Sequence, residues 1–303
     1  MENRFVLQFE AQEEMLLREA IALWGISKRA LTAIKFGGGD ILVNGVRRNV
    51  RHVVVVGDII TIVFPLEEAS EGLVPQHGKL NIVYEDEAVL VIDKPAYMST
   101  IPSREHPESS VANFVLGYLQ EQGLASTVHI VTRLDRDTSG LLCIAKHRHI
   151  HHLMSASQQQ GDVIRHYEAI VYGQTKSQSI IAPIGRKETS IIEREVRKDG
   201  QFAHTDVEVL EYGRLNDCII SHVRLTLHTG RTHQIRVHMA HIGHPLVGDE
   251  LYGGDKRVLD RQALHCVSLT FLHPLTKKLL SFSSELPEEL RNLSRFSKKL
   301  PPL

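Results

Sequence analysis

Cysteine is scarce in this chain. Cys143, Cys218 and Cys266 are the only three in 303 residues, they lie far apart, and no C-x-x-C occurs. A disulfide framework and a thiolate zinc cluster are therefore excluded. Long apolar runs are missing too: the most apolar stretch, HVVVVGDIITIVFP, is broken at Gly57 and Asp58, well short of the ~20 residues that a membrane span needs. The opening MENRFVLQFEAQEE has neither a basic n-region nor an apolar h-region, so no signal peptide is expected and the expected location is the cytoplasm. Neither G-x-x-x-x-G-K-[ST] nor G-x-G-x-x-G follows a strand-like segment, which disfavours a nucleotide cofactor. Charge of one sign is lacking as well. Lys+Arg number 35 and Asp+Glu 36, so a uniformly basic nucleic-acid coat is excluded, while a local basic face is not.

What is present is an ordinary globular composition, 42% hydrophobic and 23% charged, at a length that suggests two domains. Residues 12–36 carry apolar positions at helical spacing, and Ser27 stands where an N-cap belongs. Ile41-Leu42-Val43 then reads as a strand, Asn44-Gly45 as a hairpin turn, and residues 53–56 and 59–63 as further strands. Six basic residues, Lys28, Arg29, Lys35, Arg47, Arg48 and Arg51, face a single Asp40 within this unit, which points to a phosphate-binding surface. Residues 66–79 are acidic, contain Pro and Gly, lack periodicity and read as a linker. From residue 80 to about 296, β-rich segments alternate with helices expected at 110–122, 149–159, 232–241 and 287–295. No βαβ regularity is visible, so an α+β fold with a mixed, mostly antiparallel sheet and flanking helices is expected.

Three segments could carry chemistry. Thr132-Arg133-Leu134-Asp135-Arg136-Asp137-Thr138-Ser139-Gly140 enters a strand and reads as a hydrogen-bonded polar turn. Arg165-His166-Tyr167-Glu168 opens a strand on which Tyr167 shares the apolar face with Ala169 and Val171. Thr229-Gly230-Arg231-Thr232-His233-Gln234-Ile235-Arg236 leads into a helix that Thr232 could cap, with two arginines close to its positive end. Histidines are abundant. His147 and His151 have the i, i+4 spacing of metal ligands, but Lys146 and Arg148 would repel a cation, so solvated, RNA-facing histidines are the favoured reading and no metal is expected.

In order along the chain, YEDEAVLVIDKPA, RLDRDTSGLL, HYEAIVYG, TGRTHQIRVHMAHIGHPLVGDELYG and ALHCVSLTFLHP resemble the RluA/RluD family of pseudouridine synthases. More loosely, SKRALTAIKFGGGDILVNG and VGDIITI make residues 12–65 similar to the S-four RNA-binding domain. The resemblance implies a pseudouridine synthase sheet and isomerisation of uridine in structured RNA. It implies no cofactor. Large-subunit ribosomal RNA is the first expected substrate and transfer RNA the second; a catalytically silent RNA-binding or ribosome-assembly protein is the rival, and a monomer is expected. It places the catalytic aspartate on Asp135, an orienting cation on Arg236 and a base-stacking tyrosine on Tyr167. Arg133 would fill the gap left by a flipped base. Lys94, Arg231 and the basic face with Lys28, Arg29, Lys35, Arg47 and Arg48 would hold phosphates. Two departures stand out: Thr132 where the family usually has His, and Tyr97 where it usually has Gly. Altered packing of the 132–140 loop is expected from the first and an altered turn from the second.

Overall fold

The computed structural model describes residues 4–68, 72–124 and 127–294. Two main cores, one in each unit, are accompanied by two smaller clusters. The smaller core gathers Phe9, Leu17, Ile21, Ile34, Ile60 and Ile62, projected from helices Leu17–Leu23 and Lys28–Phe36 and from a four-stranded sheet. Ser27 caps the second helix by accepting from the Ala30 amide at 3.2 Å, as expected from the sequence. Asn44 and Gly45 adopt φ of 50° and 78°, the paired left-handed residues that a tight hairpin turn requires. The unit starts earlier than expected. Val6–Glu10, with alternating burial, pairs antiparallel with Ile59–Val63, so the domain opens at residue 6 rather than 12.

The larger core sits on a ten-stranded sheet of the expected mixed kind. Eight strands form its path, Gln178–Ile181, His204–Leu215, Cys218–Leu227, Ile164–Tyr172, Leu264–Leu272, Ser139–Ala145, Val89–Lys94 and Ile82–Glu85, and two lie off it, Leu279–Ser283 beside Leu264–Leu272 and His129–Ile130 beside Ser139–Ala145. Neighbours along it are antiparallel except Ser139–Ala145 against Leu264–Leu272. Ser139–Ala145 is buried at every position, whereas Cys218–Leu227 nearly alternates, as a strand with a solvated face should. Where the parallel pair meets, Gly140 holds φ at 111° and a side chain there would strike the Cys266 backbone at 2.4 Å. Only glycine fits.

Three expectations need correction. Of the expected linker 66–79, residues 69–71 lie outside the described residues, and the rest is not free. The Glu67 side chain is buried and accepts from the Arg148 amide at 2.7 Å, and Gln76 and Val74 are hydrogen-bonded to Asn113. His147 and His149 are buried rather than solvated: His147 stacks on Phe5 at 4.4 Å and His149 on Phe64 at 5.2 Å, closing the joint between the two units. Thr232 is exposed and caps nothing. The helix Gln234–His241 begins after His233, whose φ is 57°, and the Gln234 side chain satisfies the Arg231 amide at 3.0 Å instead.

Candidate active site

The loop from Thr132 to Ser139 is held by side chains from other elements. Thr132 Oγ1 accepts from the Cys143 amide at 2.9 Å, so the residue that departs from the family pattern pins the loop to its own strand. Thr100 Oγ1 donates to the Leu134 carbonyl at 2.7 Å, and Arg261 donates to the Asp137 carbonyl at 3.1 Å. Lys94 lies beneath. Its Nζ donates to the carbonyls of Pro95 and Met98, each at 2.8 Å, and of Arg136 at 3.0 Å. An ammonium has three N–H bonds, and all three are used. Lys94 is fully buried and holds this loop, which corrects the phosphate-contact expectation. Burial pushes its pKa down to about 7, against the opposing charges of Asp135 and Asp137.

This clamping sets Asp135 at the edge of a cavity of about 410 Å³, with Arg133, Arg165, Tyr167 and Arg231 among its lining. Tyr167 is 3% exposed, and burial pushes its phenol well above the ordinary range, so it stays neutral at physiological pH. Arg236 reaches Asp135 Oδ2 at 3.2 Å, but its main partner is Asp249, which takes Nε and Nη2 at 2.7 Å each. Burial works against the Arg236 charge; the Asp249 hydrogen bonds and the nearby Asp135 outweigh it, so its pKa is raised. The ring of Tyr252 lies 4.9 Å from the same guanidinium. His233 Nδ1 hydrogen-bonds the Tyr252 hydroxyl at 2.8 Å, while its Nε2 stands 4.0 Å from Asp135. Burial lowers the His233 pKa despite Asp135. Both contacts to Asp135 use Oδ2, and Oδ1 accepts no hydrogen bond among the described residues.

The structure thus brings together Asp135, Tyr167, Arg236, Arg133 and Arg231, the last two exposed. It does not bring Lys28, Arg29, Lys35, Arg47 or Arg48 to this cavity: all five are exposed on the small unit, with Arg47 paired to Asp40 at 2.6 Å. Sequence reasoning passed over Asp249, His233, Tyr252 and Arg165, although each lay within a segment already singled out. His147 and His151 do not share a ligand. The first accepts from the His149 amide and the second meets the Ile130 carbonyl. Among the described residues, only His204, Asp206 and His228 could converge on one ion. Both rings already hydrogen-bond the Asp206 carboxylate, at 3.1 and 2.6 Å.

A family model described as RNA pseudouridylate synthase matches residues 88–241, the part of the chain that contains Lys94, the Asp135 loop, Tyr167 and Arg236. The chain belongs to that family. This synthase is 50% identical over 281 residues to the Uncharacterized RNA pseudouridine synthase YjbO of Bacillus subtilis (strain 168), covering 92% of this chain and 98% of that one. It is 37% identical over 296 residues to the Ribosomal large subunit pseudouridine synthase D of Pseudomonas aeruginosa, covering 93% and 91%. The solved structure of Human RNA Pseudouridylate Synthase Domain Containing 1 superposes with a TM-score of 0.55 at 25% identity, over 72% of the synthase and 86% of that chain. No helix among the described residues is long and apolar enough to cross a membrane.

The turn that departs from the family pattern has its own account. Tyr97 adopts φ of 64°, the left-handed conformation that glycine takes without cost, and its hydroxyl donates to Asp260. The side chain that strains the turn also ties it to the 255–262 segment.

Proposed function

We propose that this synthase isomerises uridines of large-subunit ribosomal RNA, with Asp135 as the carboxylate that acts on the ribose of a flipped nucleotide. The observation that carries the reading is the asymmetry of Asp135. One oxygen is oriented by Arg236, itself locked to Asp249, and the other is left free at the cavity edge. A carboxylate so held needs no reorganisation at the moment of reaction. The base leaves C1′ by cleavage of the C1′–N1 bond, turns, and rejoins through C5; C5 then loses its proton and N1 gains one. Tyr167 forms the wall against which the base stacks. Arg133, exposed at the mouth, takes the space vacated in the RNA stack. The ribosomal substrate is supported by the name of the Pseudomonas relative. An S-four-like reading of the small unit adds a second contact with RNA through its exposed basic face.

The test is tritium release from large-subunit ribosomal and transfer RNA transcripts labelled at uridine C5, with wild type beside Asp135→Asn. Release by wild type from ribosomal RNA, and none by the variant at nearly unchanged RNA affinity, is expected. Release from transfer RNA alone would move the substrate. Near-wild-type turnover by Asp135→Asn would remove Asp135 from the chemistry.

A further inference from the structure

Arg165 is a buried cation in the wall of the reaction cavity, with no counter-charge among the described residues. It is 5% exposed and lies on the strand Ile164–Tyr172, two residues before Tyr167 and on the same face. Both side chains line the cavity at whose edge Asp135 stands. The Nε of Arg165 is buried with no hydrogen-bond partner among the described residues. Gly230, also in the cavity lining, lies against it: a side chain at that position would sit 3.4 Å from both terminal nitrogens of the guanidinium, so the group is flanked there by uncharged backbone. Its charge is felt at Tyr167 and at Cys266, where it opposes the upward shift that burial imposes on both.

The contrast with Arg236 is instructive. Arg236 is buried to a similar degree and has two carboxylates. An uncompensated buried charge is strongly unfavourable and is tolerated where a ligand completes it. The group that develops negative charge beside Tyr167 is the base itself. When the C1′–N1 bond breaks, its electron pair departs with uracil and spreads over N1, O2 and O4. That holds whether Asp135 adds to C1′ or removes the C2′ proton, because the base leaves as an anion on either route. Forming the C1′–C5 bond uses that electron pair and discharges the charge; C5 then loses its proton and N1 takes one up.

We propose that Arg165 donates to the carbonyl oxygens of the departing uracil and stabilises it as an anion while it turns between N1 and C5 attachment. This rests on the proposed function and adds a second catalytic residue of opposite charge to Asp135. A preorganised donor aimed at charge that exists only during reaction affects rate more than affinity.

The experiment compares wild type, Arg165→Met and Arg165→Lys in single turnovers at saturating enzyme. The RNA is whichever transcript, ribosomal or transfer, the wild type converts, so failure of the ribosomal assignment leaves the comparison intact. Each transcript is made with uridine or with 5-fluorouridine, whose fluorine stabilises the departing anion by induction, and nucleoside consumption is read by digestion and mass spectrometry. Arg165→Met is expected to lose about 100-fold or more on uridine RNA, with RNA affinity changed less than about threefold. The loss should shrink at least severalfold on 5-fluorouridine RNA. Arg165→Lys keeps the charge without the planar fork and should fall between the two. The Tm of Arg165→Met should match or exceed that of wild type, since a lone buried charge has been removed. Equal losses on both substrates would reduce Arg165 to a packing residue, and weakened binding at an unchanged rate would make it a phosphate clamp. Either result overturns the proposal. Should Arg165→Met fail to fold, Arg165→Lys decides by the same ratio of substrates.

Discussion

The basic residues of the two units are used in opposite ways. On the small unit Lys28, Arg29, Lys35, Arg47 and Arg48 stand in solvent, and among the described residues only Arg47 of these five has a carboxylate partner. In the catalytic domain Lys94, Arg165, Arg236 and Arg261 are buried, and three of the four spend their donors on specific oxygens: backbone carbonyls under the Asp135 loop, Asp249, and Glu289. The histidines at the joint extend the pattern, since His147 and His149 are buried as neutral rings. Exposed cations act collectively and through salt-screened fields. Buried ones act one at a time through geometry, so substitutions in the two sets should differ in size and in kind.

The largest effect is expected at Arg236. Arg236→Ala leaves the buried carboxylate of Asp249 without its partner, which costs ~3–5 kcal/mol of stability, and leaves Asp135 unoriented, which lowers the single-turnover rate by at least ~100-fold. Denaturant unfolding and rate measurements on one preparation check both. An active and equally stable variant would dissolve the distinction between the two sets. Next comes acid. Burial, foremost, brings His147 and His149 down from 6.5 to about 4. As pH falls through 6.5 the unfolded chain takes up protons that the folded chain refuses until about 4, so stability present above 6.5 is lost across that window, on the order of 3 kcal/mol for each ring. Glu67 behaves differently. Burial opposes its charge, yet His129 and His147 hold it down to about 2, so the stability it supplies is present above 4.5 and is lost as pH falls from 4.5 towards 2. Both ring nitrogens of His149 lack hydrogen-bond partners among the described residues, so His149→Phe should fold well and flatten the decline between pH 6.5 and 4 in thermal melts. An unchanged slope would show that the ring titrates normally. The smallest effect belongs to the exposed set. Replacing Lys28, Arg29 and Arg48 together by Gln should leave Tm within about 1 kcal/mol equivalent and the chemical rate unchanged, while lowering the slope of log affinity against log salt by about 3. A constant slope would mean that this face is merely solvated.

Much of the fold was legible because its signals are local. The Ser27 cap and the Asn44-Gly45 turn each follow from a few adjacent residues. Val6–Glu10 alternates, yet its role as a sheet strand depends on pairing with Ile59–Val63 far along the chain. In the site, Asp135, Tyr167 and Arg236 could be named from motif order. Burial could not be read from motif order, and it is burial that turns Lys94 from an RNA contact into a support for the loop. Asp249 stayed unassigned because nothing in GHPLVGDELYG announces that its carboxylate turns inward to Arg236, 13 residues earlier. The histidines misled for the same reason: Lys146 and Arg148 imply solvent on either side of His147, whereas Phe5 and Phe64, distant in sequence, enclose it.

The joint made by Phe5, Phe64, His147 and His149 has a mechanical consequence. Two binding patches on a loose tether would sample many separations, and each would grip RNA almost independently. Ring stacking across this seam, backed by the buried Glu67, fixes the span instead. With the small unit's basic face contacting RNA as proposed, a fixed span would act as a gauge: an RNA would profit from both patches only if its own fold presented phosphates and a uridine at the matching separation, and would otherwise gain from one alone.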